Sequence, residues 1–170
     1  RVRGGTTEAI ADANLKMDRC LKAGALAIGC EVEIITLPGY LPIKNDSHMS
    51  DIFIDNAATL VGANNVIQKP VRHNSGGSTD MGDLSQIMPV IHPYTGVASG
   101  TGHGIDYLVH DYTQAVVNPA KALAGTIVDL LCREDSPAKK ILSDFNQDYS
   151  IKSYVEMQRS RLTKEKYVPI

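Results

Sequence analysis

The side chains of this sequence that could do chemistry are concentrated between residues 76 and 104. The first group is a glycine-rich turn made of Gly76, Gly77, Ser78 and Thr79. Adjacent glycines adopt backbone conformations that other residues avoid, and they let a ligand approach the main chain. The free N–H groups at the start of a following helix favour an anion such as a carboxylate. The turn is therefore a candidate carboxylate site, with a plain capped turn as the alternative.

A histidine in a glycine-rich loop is the second group. His103 stands between Gly102 and Gly104, which leave room for a metal ion to approach the imidazole ring. Neutral imidazole is a common zinc ligand. A lone histidine is more often a loop or hydrogen-bonding residue, so the residues alone leave both interpretations open.

Two carboxylates follow the turn. Asp80 and Asp83 lie three residues apart, which places them on one face of a helix that begins there. Paired carboxylates could do acid–base work. The simpler expectation is that Asp80 caps or orients the turn and that Asp83 is solvated.

The other histidines receive structural roles. His92 precedes a proline, which favours an extended backbone, and we expect it to end a strand over Met88–Ile91 and to serve as a structural or supporting residue. His48 and His73 are expected at the surface. His110 is not expected to form a productive dyad with its neighbour Asp111.

The N-terminal part predicts the order strand, helix, strand, helix. Val2-Arg3 is strand-like, and residues 6–28 predict an amphipathic helix with a threonine cap and a stop at Gly29. Its apolar face holds Ile10, Met17, Leu21 and Ile28, together with Gly24, which would allow close approach by a neighbouring element. Residues 31–37 predict a β-strand, and residues 47–61 predict a second helix that Gly62 ends.

Two further helices are predicted in the C-terminal part. Asn118 and Pro119 mark the start of the first, and Ser136-Pro137 repeats that signal for the second. The residues expected to face the core are Leu123, Ile127, Leu130 and Leu131 in the first, and Ile141, Leu142 and Phe145 in the second. Residues 150–170 show no clear pattern.

Composition indicates an ordinary soluble protein. The chain has 170 residues, 43% hydrophobic content and a formal net charge of -2, so nothing indicates nucleic-acid binding. The basic residues near the end are expected on a solvated face. Cys20, Cys30 and Cys132 form no CxxC pair and predict free, buried thiols in a reducing compartment. We expect no membrane-spanning run and no signal peptide, and the start at Arg1 suggests a fragment or a processed chain.

Taken in order, these motifs resemble a known family. The motif Gly-Ser-Thr-Asp-x-Gly, the segment Pro-x-x-His-Pro, His103 with Tyr107 after it, and an alanine-rich helix follow one another. This order resembles the C-terminal part of the dinuclear-zinc aminoacylase/carboxypeptidase G metallopeptidases, most closely the aminobenzoyl-glutamate utilization hydrolases. The resemblance is firm over residues 76–131, moderate over 1–62 and weak after 147.

The resemblance implies an α/β fold with two domains. Residues 1–65 would be the C-terminal half of an α/β sandwich dimerisation (lid) domain, and residues 66–170 the C-terminal part of a zinc-exopeptidase-type catalytic domain. His103 would be the last metal ligand, although Gly104 stands where the family has Ser or Thr. The residues of the turn, Gly76, Gly77, Ser78 and Thr79, would receive the substrate carboxylate, with Asp80 and His92 as supporting residues. The general base of the family lies upstream, so we expect no catalytic base in this chain.

The implied activity is hydrolysis of the amide bond in small N-acyl amino acids, dipeptides or aminobenzoyl-glutamate-like substrates. Two zinc ions, with manganese or cobalt as alternatives, would activate the attacking water. The whole protein is expected to be a cytoplasmic homodimer that joins through its lid, with no nucleic-acid or membrane partner, and this chain alone is expected to be inactive. The alternative is a non-catalytic oligomerisation or small-ligand-binding module. A nucleotide-binding domain would need a phosphate loop, and neither GxxxxGK[ST] nor GxSxG nor HExxH occurs.

Overall fold

The computed structural model of the chain describes residues 1–68 and 77–169. Its helices are α1 (Thr7–Ile28), α2 (Ser47–Val61), α3 (Met81–Leu84), α4 (Asn118–Cys132), α5 (Pro137–Asp144) and α6 (Ile151–Ser160). Its strands are β1 (Val32–Thr36), β2 (Ala98–Ser99), β3 (Leu108–Val109) and β4 (Thr163–Tyr167). A 3-10 turn, Ala63–Asn65, follows α2, and a π-helical turn, Thr113–Val117, leads into α4.

The described residues form two compact units that interleave along the chain. Unit 1 contains residues 1–44, 77–88 and 147–169, and unit 2 contains residues 45–68 and 89–146. The predicted segments 1–65 and 66–170 do not coincide with these units, because each unit takes residues from both segments. The assignment of those segments to a lid and a catalytic domain stays a prediction, as does the α/β class that the resemblance implies.

Local signals place the first two helices as predicted. The Thr6 hydroxyl accepts a hydrogen bond from the backbone N–H of Ala9 at the start of α1, and Gly29 ends the helix with φ of 66°. At the start of α2, the Asp46 carboxylate accepts from the N–H of Met49 at 2.8 Å. These caps satisfy N–H groups that a helix cannot pair internally.

The sheet of unit 1 joins the two ends of the chain. β1 pairs antiparallel with β4, with Val32 opposite Tyr167 and Thr36 opposite Thr163. Ile34 is the buried residue of β1, and α1 contacts this strand. The predicted strand at Val2-Arg3 is wrong, because these residues belong to neither described sheet.

Most of the predicted apolar face of α1 is exposed, which corrects the expectation. Met17, Leu21 and Ile28 are exposed, and Ala25 is the buried residue of this helix. In the described part, the sheet of unit 1 has two strands and covers only a small part of a 22-residue helix. A β-carbon on Gly24 would have no neighbour within 4 Å among the described residues. The close approach predicted at this glycine therefore does not occur in the described part of the chain.

Unit 2 is organised by the contact between α2 and α4. The face of α4 that is buried carries small and polar residues, with Ala122 and Thr126 almost fully covered. The Asn56 side chain of α2 lies against Gly125 and donates a hydrogen bond to the Asp129 carboxylate at 2.6 Å. Small residues let the two helices approach closely, and the polar pair fixes their register.

The core face predicted for α4 was therefore wrong. Leu123, Ile127 and Leu131 are all exposed, with Leu131 at 73%. The π-helical turn, Thr113–Val117, extends this helix beyond the predicted start at Asn118. At the earlier start, the Asp111 carboxylate accepts a hydrogen bond from the N–H of Gln114 at 2.9 Å. Pro119 has no N–H to donate to the preceding turn, which accounts for the π-helical turn before it.

The combined helix, Thr113–Cys132, has 20 residues and contains an 18-residue stretch with a mean hydropathy of 1.4. By length and composition alone it is long and apolar enough to cross a membrane, which corrects the expectation that no apolar run reaches this length. A single helix of this kind is weak evidence for a membrane span, and Asp129 lies within it, hydrogen-bonded to α2.

Three smaller expectations are also corrected. The segment predicted as a strand over Met88–Ile91 forms no ladder, and it joins the start of α2 through a bond from the Asp46 N–H to the Val90 carbonyl at 2.8 Å. In α5, Ile141 is buried as predicted, but Leu142 is 67% exposed. The cysteines predicted to be buried are exposed free thiols: Cys20, Cys30 and Cys132.

The contact at Gly125 makes a testable prediction. In Gly125→Ala, the new β-carbon would displace the Asn56 amide from Asp129. We expect a net loss of about 1 kcal/mol, because a loss of about 2 kcal/mol in packing and hydrogen bonding exceeds the ~1 kcal/mol gained in helix propensity. Urea denaturation measures this free energy of unfolding. Adding Asn56→Ala should cost less in this background than in the wild type, and strict additivity would contradict the contact.

Candidate functional site

His103 lies in the loop of a short hairpin in unit 2. β2 pairs antiparallel with β3, with Ala98 opposite Val109 and Ser99 opposite Leu108. The loop between them, residues 100–107, carries His103 as an exposed side chain with φ of 66°. A positive φ is uncommon for residues other than glycine, and such backbone conformations cluster at functional sites.

Asp106 organises this loop, and sequence reasoning missed it. Its carboxylate accepts a hydrogen bond from the Thr101 N–H at 3.1 Å. A β-carbon at Gly100 would overlap the Asp106 carbonyl, and one at Gly104 would overlap the Asp106 carboxylate. The glycine at 104, where the resembled family has Ser or Thr, thus makes room for this carboxylate. The sequence signal that could have identified Asp106 is the pair of glycines that stand six and two residues before it.

The described residues fit a single metal ligand and do not fit a complete zinc site. Within residues 1–68 and 77–169, no group of three or more His, Cys, Asp or Glu side chains comes together to hold a metal ion. A structural or catalytic zinc needs at least three protein ligands. His103, exposed and next to two glycines, remains open to a metal whose other ligands come from elsewhere.

The glycine-rich turn lies in unit 1, and Gly76 falls outside the described residues, as does His73. Gly77 and Ser78 are exposed, and Thr79 is half-buried. The Thr79 hydroxyl accepts from the Met81 N–H at 3.3 Å and donates to the Asp80 carboxylate at 3.2 Å. The side chain of Asp80 does not cap α3, so that part of the prediction was wrong, while its carbonyl accepts from the N–H of Asp83 at 3.0 Å.

The helix that follows the turn is held by buried polar side chains. Ser85 and Gln86 are each 2% exposed. Ser85 donates to the Gly82 carbonyl at 2.6 Å and accepts from the Lys44 N–H at 3.1 Å. Gln86 donates to the Pro42 carbonyl at 2.8 Å. Because α3 has only four residues, these bonds supply the stability that such a short helix lacks.

Asp83 is a half-buried anchor rather than a solvated group, which corrects the prediction. Its Oδ1 accepts from the Leu41 N–H at 3.2 Å and from Gln158 Nε2 at 3.0 Å. The partners come from distant parts of the sequence, so no local pattern could have indicated them.

His92 is half-buried in unit 2, and its predicted structural or supporting role stays a prediction. Its N–H donates to Asn45 Oδ1 at 2.9 Å, and its ring meets the Tyr94 ring edge-on at 4.9 Å. His110, which follows the hairpin of His103, lies 3.4 Å from the Ser99 hydroxyl through Nδ1. The three histidines thus belong to unit 2, whereas the described residues of the turn and Asp80 belong to unit 1.

Comparison with known proteins finds similarity to dipeptidases. The chain is 27% identical over 147 residues to the Xaa-Arg dipeptidase of Homo sapiens, across 81% of this chain and 31% of that protein. It is 31% identical over 128 residues to the Xaa-Arg dipeptidase of Mus musculus, across 68% of this chain and 28% of that protein. The chain is related to a peptidase-type hydrolase. No protein-family model and no solved structure matches it.

The relatives exceed this chain in length. The chain spans about 30% of the curated proteins that it matches. The similarity therefore supports the peptidase class, while the activity of the whole protein, its substrates and its metal are matters for proposal.

Proposed function

We propose that this chain is part of a metal-dependent amidohydrolase that cleaves the amide bond of small carboxylated substrates. The observation that supports the proposal is that 81% of the chain is similar to a dipeptidase. The matched stretch has more residues than either compact unit, so it includes residues of both. Dipeptides with a C-terminal arginine are the first substrates to test, because both relatives bear the name Xaa-Arg dipeptidase. N-acyl amino acids and aminobenzoyl-glutamate are the alternatives.

His103 would contribute one metal ligand. Its exposed side chain and its left-handed backbone support this role. A zinc ion bound there would supply carbonyl polarisation and an activated water. Among the described residues no three metal-ligating side chains come together, and we propose that other parts of the enzyme supply the remaining ligands and the general base. We also propose that the enzyme forms a homodimer through the N-terminal segment of this chain. Its proposed location is the cytoplasm.

The turn that contains Gly77, Ser78 and Thr79 would receive the substrate carboxylate. The Thr79 hydroxyl already donates to Asp80, so the exposed residues Gly77 and Ser78 would supply the donors, through their backbone N–H groups and the Ser78 hydroxyl. The chain's own contribution is then to bind and orient the substrate, which concentrates it next to the reacting groups.

This role predicts a binding defect in Gly77→Val. The branched side chain would stand where the carboxylate approaches, so we expect KM for Ala-Arg to rise about tenfold, the ratio that corresponds to about 1.4 kcal/mol of lost binding. The melting temperature should stay within about 2 °C of wild type, since Gly77 is exposed. Steady-state kinetics and thermal unfolding measure the two quantities. An unchanged KM would count against the carboxylate site.

The direct test of the function is an assay of the complete enzyme that contains this chain. Ala-Arg hydrolysis would be followed by release of free arginine, with metal content measured by elemental analysis on the same preparation. We expect activity that a chelator removes and zinc restores. Metal-free protein that hydrolyses Ala-Arg at the full rate would contradict metal dependence, and failure on all three substrate types would contradict the proposed activity.

A further inference from the structure

A hydrogen-bonded network ties α6 to the helix that follows the glycine-rich turn. Gln158 of α6 donates through Nε2 to Asp83 Oδ1 at 3.0 Å and to the Tyr154 hydroxyl at 3.1 Å. Arg161 donates to Gln158 Oε1 at 3.1 Å. A guanidinium can only donate, so Arg161 fixes the orientation of the Gln158 amide and points its N–H groups at Asp83.

The path from Asp83 to the turn is short and runs through the main chain. The N–H of Asp83 donates to the carbonyl of Asp80 at 3.0 Å, and the N–H of Gly82 donates to the carbonyl of Thr79 at 3.1 Å. Ser85 and Gln86 hold the other side of α3 to residues 42–44. The residue that carries this carboxylate is therefore bonded through its own main chain to the end of the turn.

The surroundings of the network favour a fixed arrangement. Asp83, Tyr154, Gln158 and Arg161 are each half-buried. Burial raises the pKa of the Tyr154 hydroxyl and the nearby Asp83 carboxylate raises it further, while the bond from Gln158 acts in the opposite direction. Within the network, donors from Leu41 and Gln158 converge on the Asp83 carboxylate. Hydrogen bonds to an ionised group are stronger than neutral ones.

We propose that Gln158 is a positioning residue that acts through the Asp83 carboxylate to hold the turn formed by Gly77, Ser78 and Thr79 in its substrate-binding geometry. The inference rests on the proposed function, in which that turn receives the substrate carboxylate. It assigns a role in substrate affinity to residues after 150, where the sequence showed no pattern and no site.

The test is Gln158→Glu in the complete enzyme. The introduced carboxylate would still accept from Arg161, but it would lie against the carboxylate of Asp83, and like charges at this distance repel. We expect KM for Ala-Arg to rise about tenfold with kcat within about twofold of wild type. KM for the C-terminal amide of Ala-Arg, which carries no carboxylate, should change by less than about twofold.

Two further variants make the result specific. Glu156→Gln alters an exposed residue of the same helix and should leave both KM values unchanged. Adding Asp83→Asn to Gln158→Glu should restore KM for Ala-Arg, since an amide at position 83 accepts from Leu41 and donates to the new carboxylate.

The outcomes separate the two proposals. A wild-type enzyme that neither hydrolyses nor binds any of the three substrate types would overturn the proposed function and this inference together. An active wild type in which Gln158→Glu behaves like Glu156→Gln would overturn the inference alone. A variant with equal KM changes for Ala-Arg and its amide, or with lowered kcat and melting temperature that Asp83→Asn does not reverse, would show a merely structural role and also overturn it.

Discussion

His103→Ala should abolish dipeptide hydrolysis and lower the zinc content of the complete enzyme. Residues that only support a zinc ligand already change metal affinity or activity by about 10- to 100-fold, so the loss of a ligand should cost at least about 100-fold in kcat/KM. The hairpin should survive the change, because Asp106 and the glycines at 100 and 104 organise its loop without the imidazole. Elemental analysis and steady-state kinetics on one preparation measure both effects.

His110→Ala is the matched control. His110 is an exposed histidine that follows β3 of the same hairpin, and its ring lies within reach of the Ser99 hydroxyl. We expect this variant to keep its zinc and its activity. Normal zinc content and activity in His103→Ala would remove His103 from the metal site, and equal losses in both variants would trace the effect to the hairpin instead of the imidazole.

Gly82→Ala should cause the largest loss of stability. Gly82 is buried in α3, and a β-carbon there would overlap the carbonyl of Leu41, which belongs to the main chain and has no rotamer to change. We expect a loss of about 3 kcal/mol, at the upper end for overpacking. For a protein region of this size that lowers the melting temperature by about 6–12 °C.

The control for Gly82 is a glycine with free space around it. Gly24 in α1 has no neighbour within 4 Å of a built β-carbon in the part of the chain that the structure describes. Gly24→Ala should therefore raise the free energy of unfolding by about 1 kcal/mol through helix propensity. Thermal and urea unfolding of both variants give the comparison. A Gly82→Ala protein as stable as wild type would show that α3 does not pack on residues 41–44.

The candidate site was predicted in part from the sequence. The motifs around His103 and the glycine-rich turn indicated a hydrolase relationship that the dipeptidase similarities support. The roles of those residues as ligand and carboxylate site stay predictions. Asp83 was expected to be solvated, yet it accepts bonds from Leu41 and Gln158, which lie 42 and 75 residues away. Partners at such separations leave no trace in local spacing.

The strand β4 was not predicted from the sequence. Its sequence, Thr-Lys-Glu-Lys-Tyr, begins and ends with residues that favour strands, but its charged centre is depleted in strands and the segment has no apolar alternation. Its pairing with β1 is accompanied by ion pairs from Lys164 to Glu33 at 2.8 Å and from Lys166 to Glu31 at 2.5 Å. The alternating charges are complementary only once the two strands lie side by side. Lys164 and Lys166 are exposed, as expected for a solvated basic face, but Arg161 is half-buried and the strand was missed.

The sequence by itself determined the positions of α1 and α2 and the start of α5, since caps, glycine stops and proline act within a few residues of the helix end. Its motif order also predicted a peptidase relationship, which the dipeptidase similarities support. Only the tertiary structure decided which face of α4 is buried, because the contact of Gly125 with Asn56 selects the small polar face over the apolar stripe. The same holds for the β1–β4 pairing and the Asp83 network, which depend on contacts between residues that are far apart along the chain.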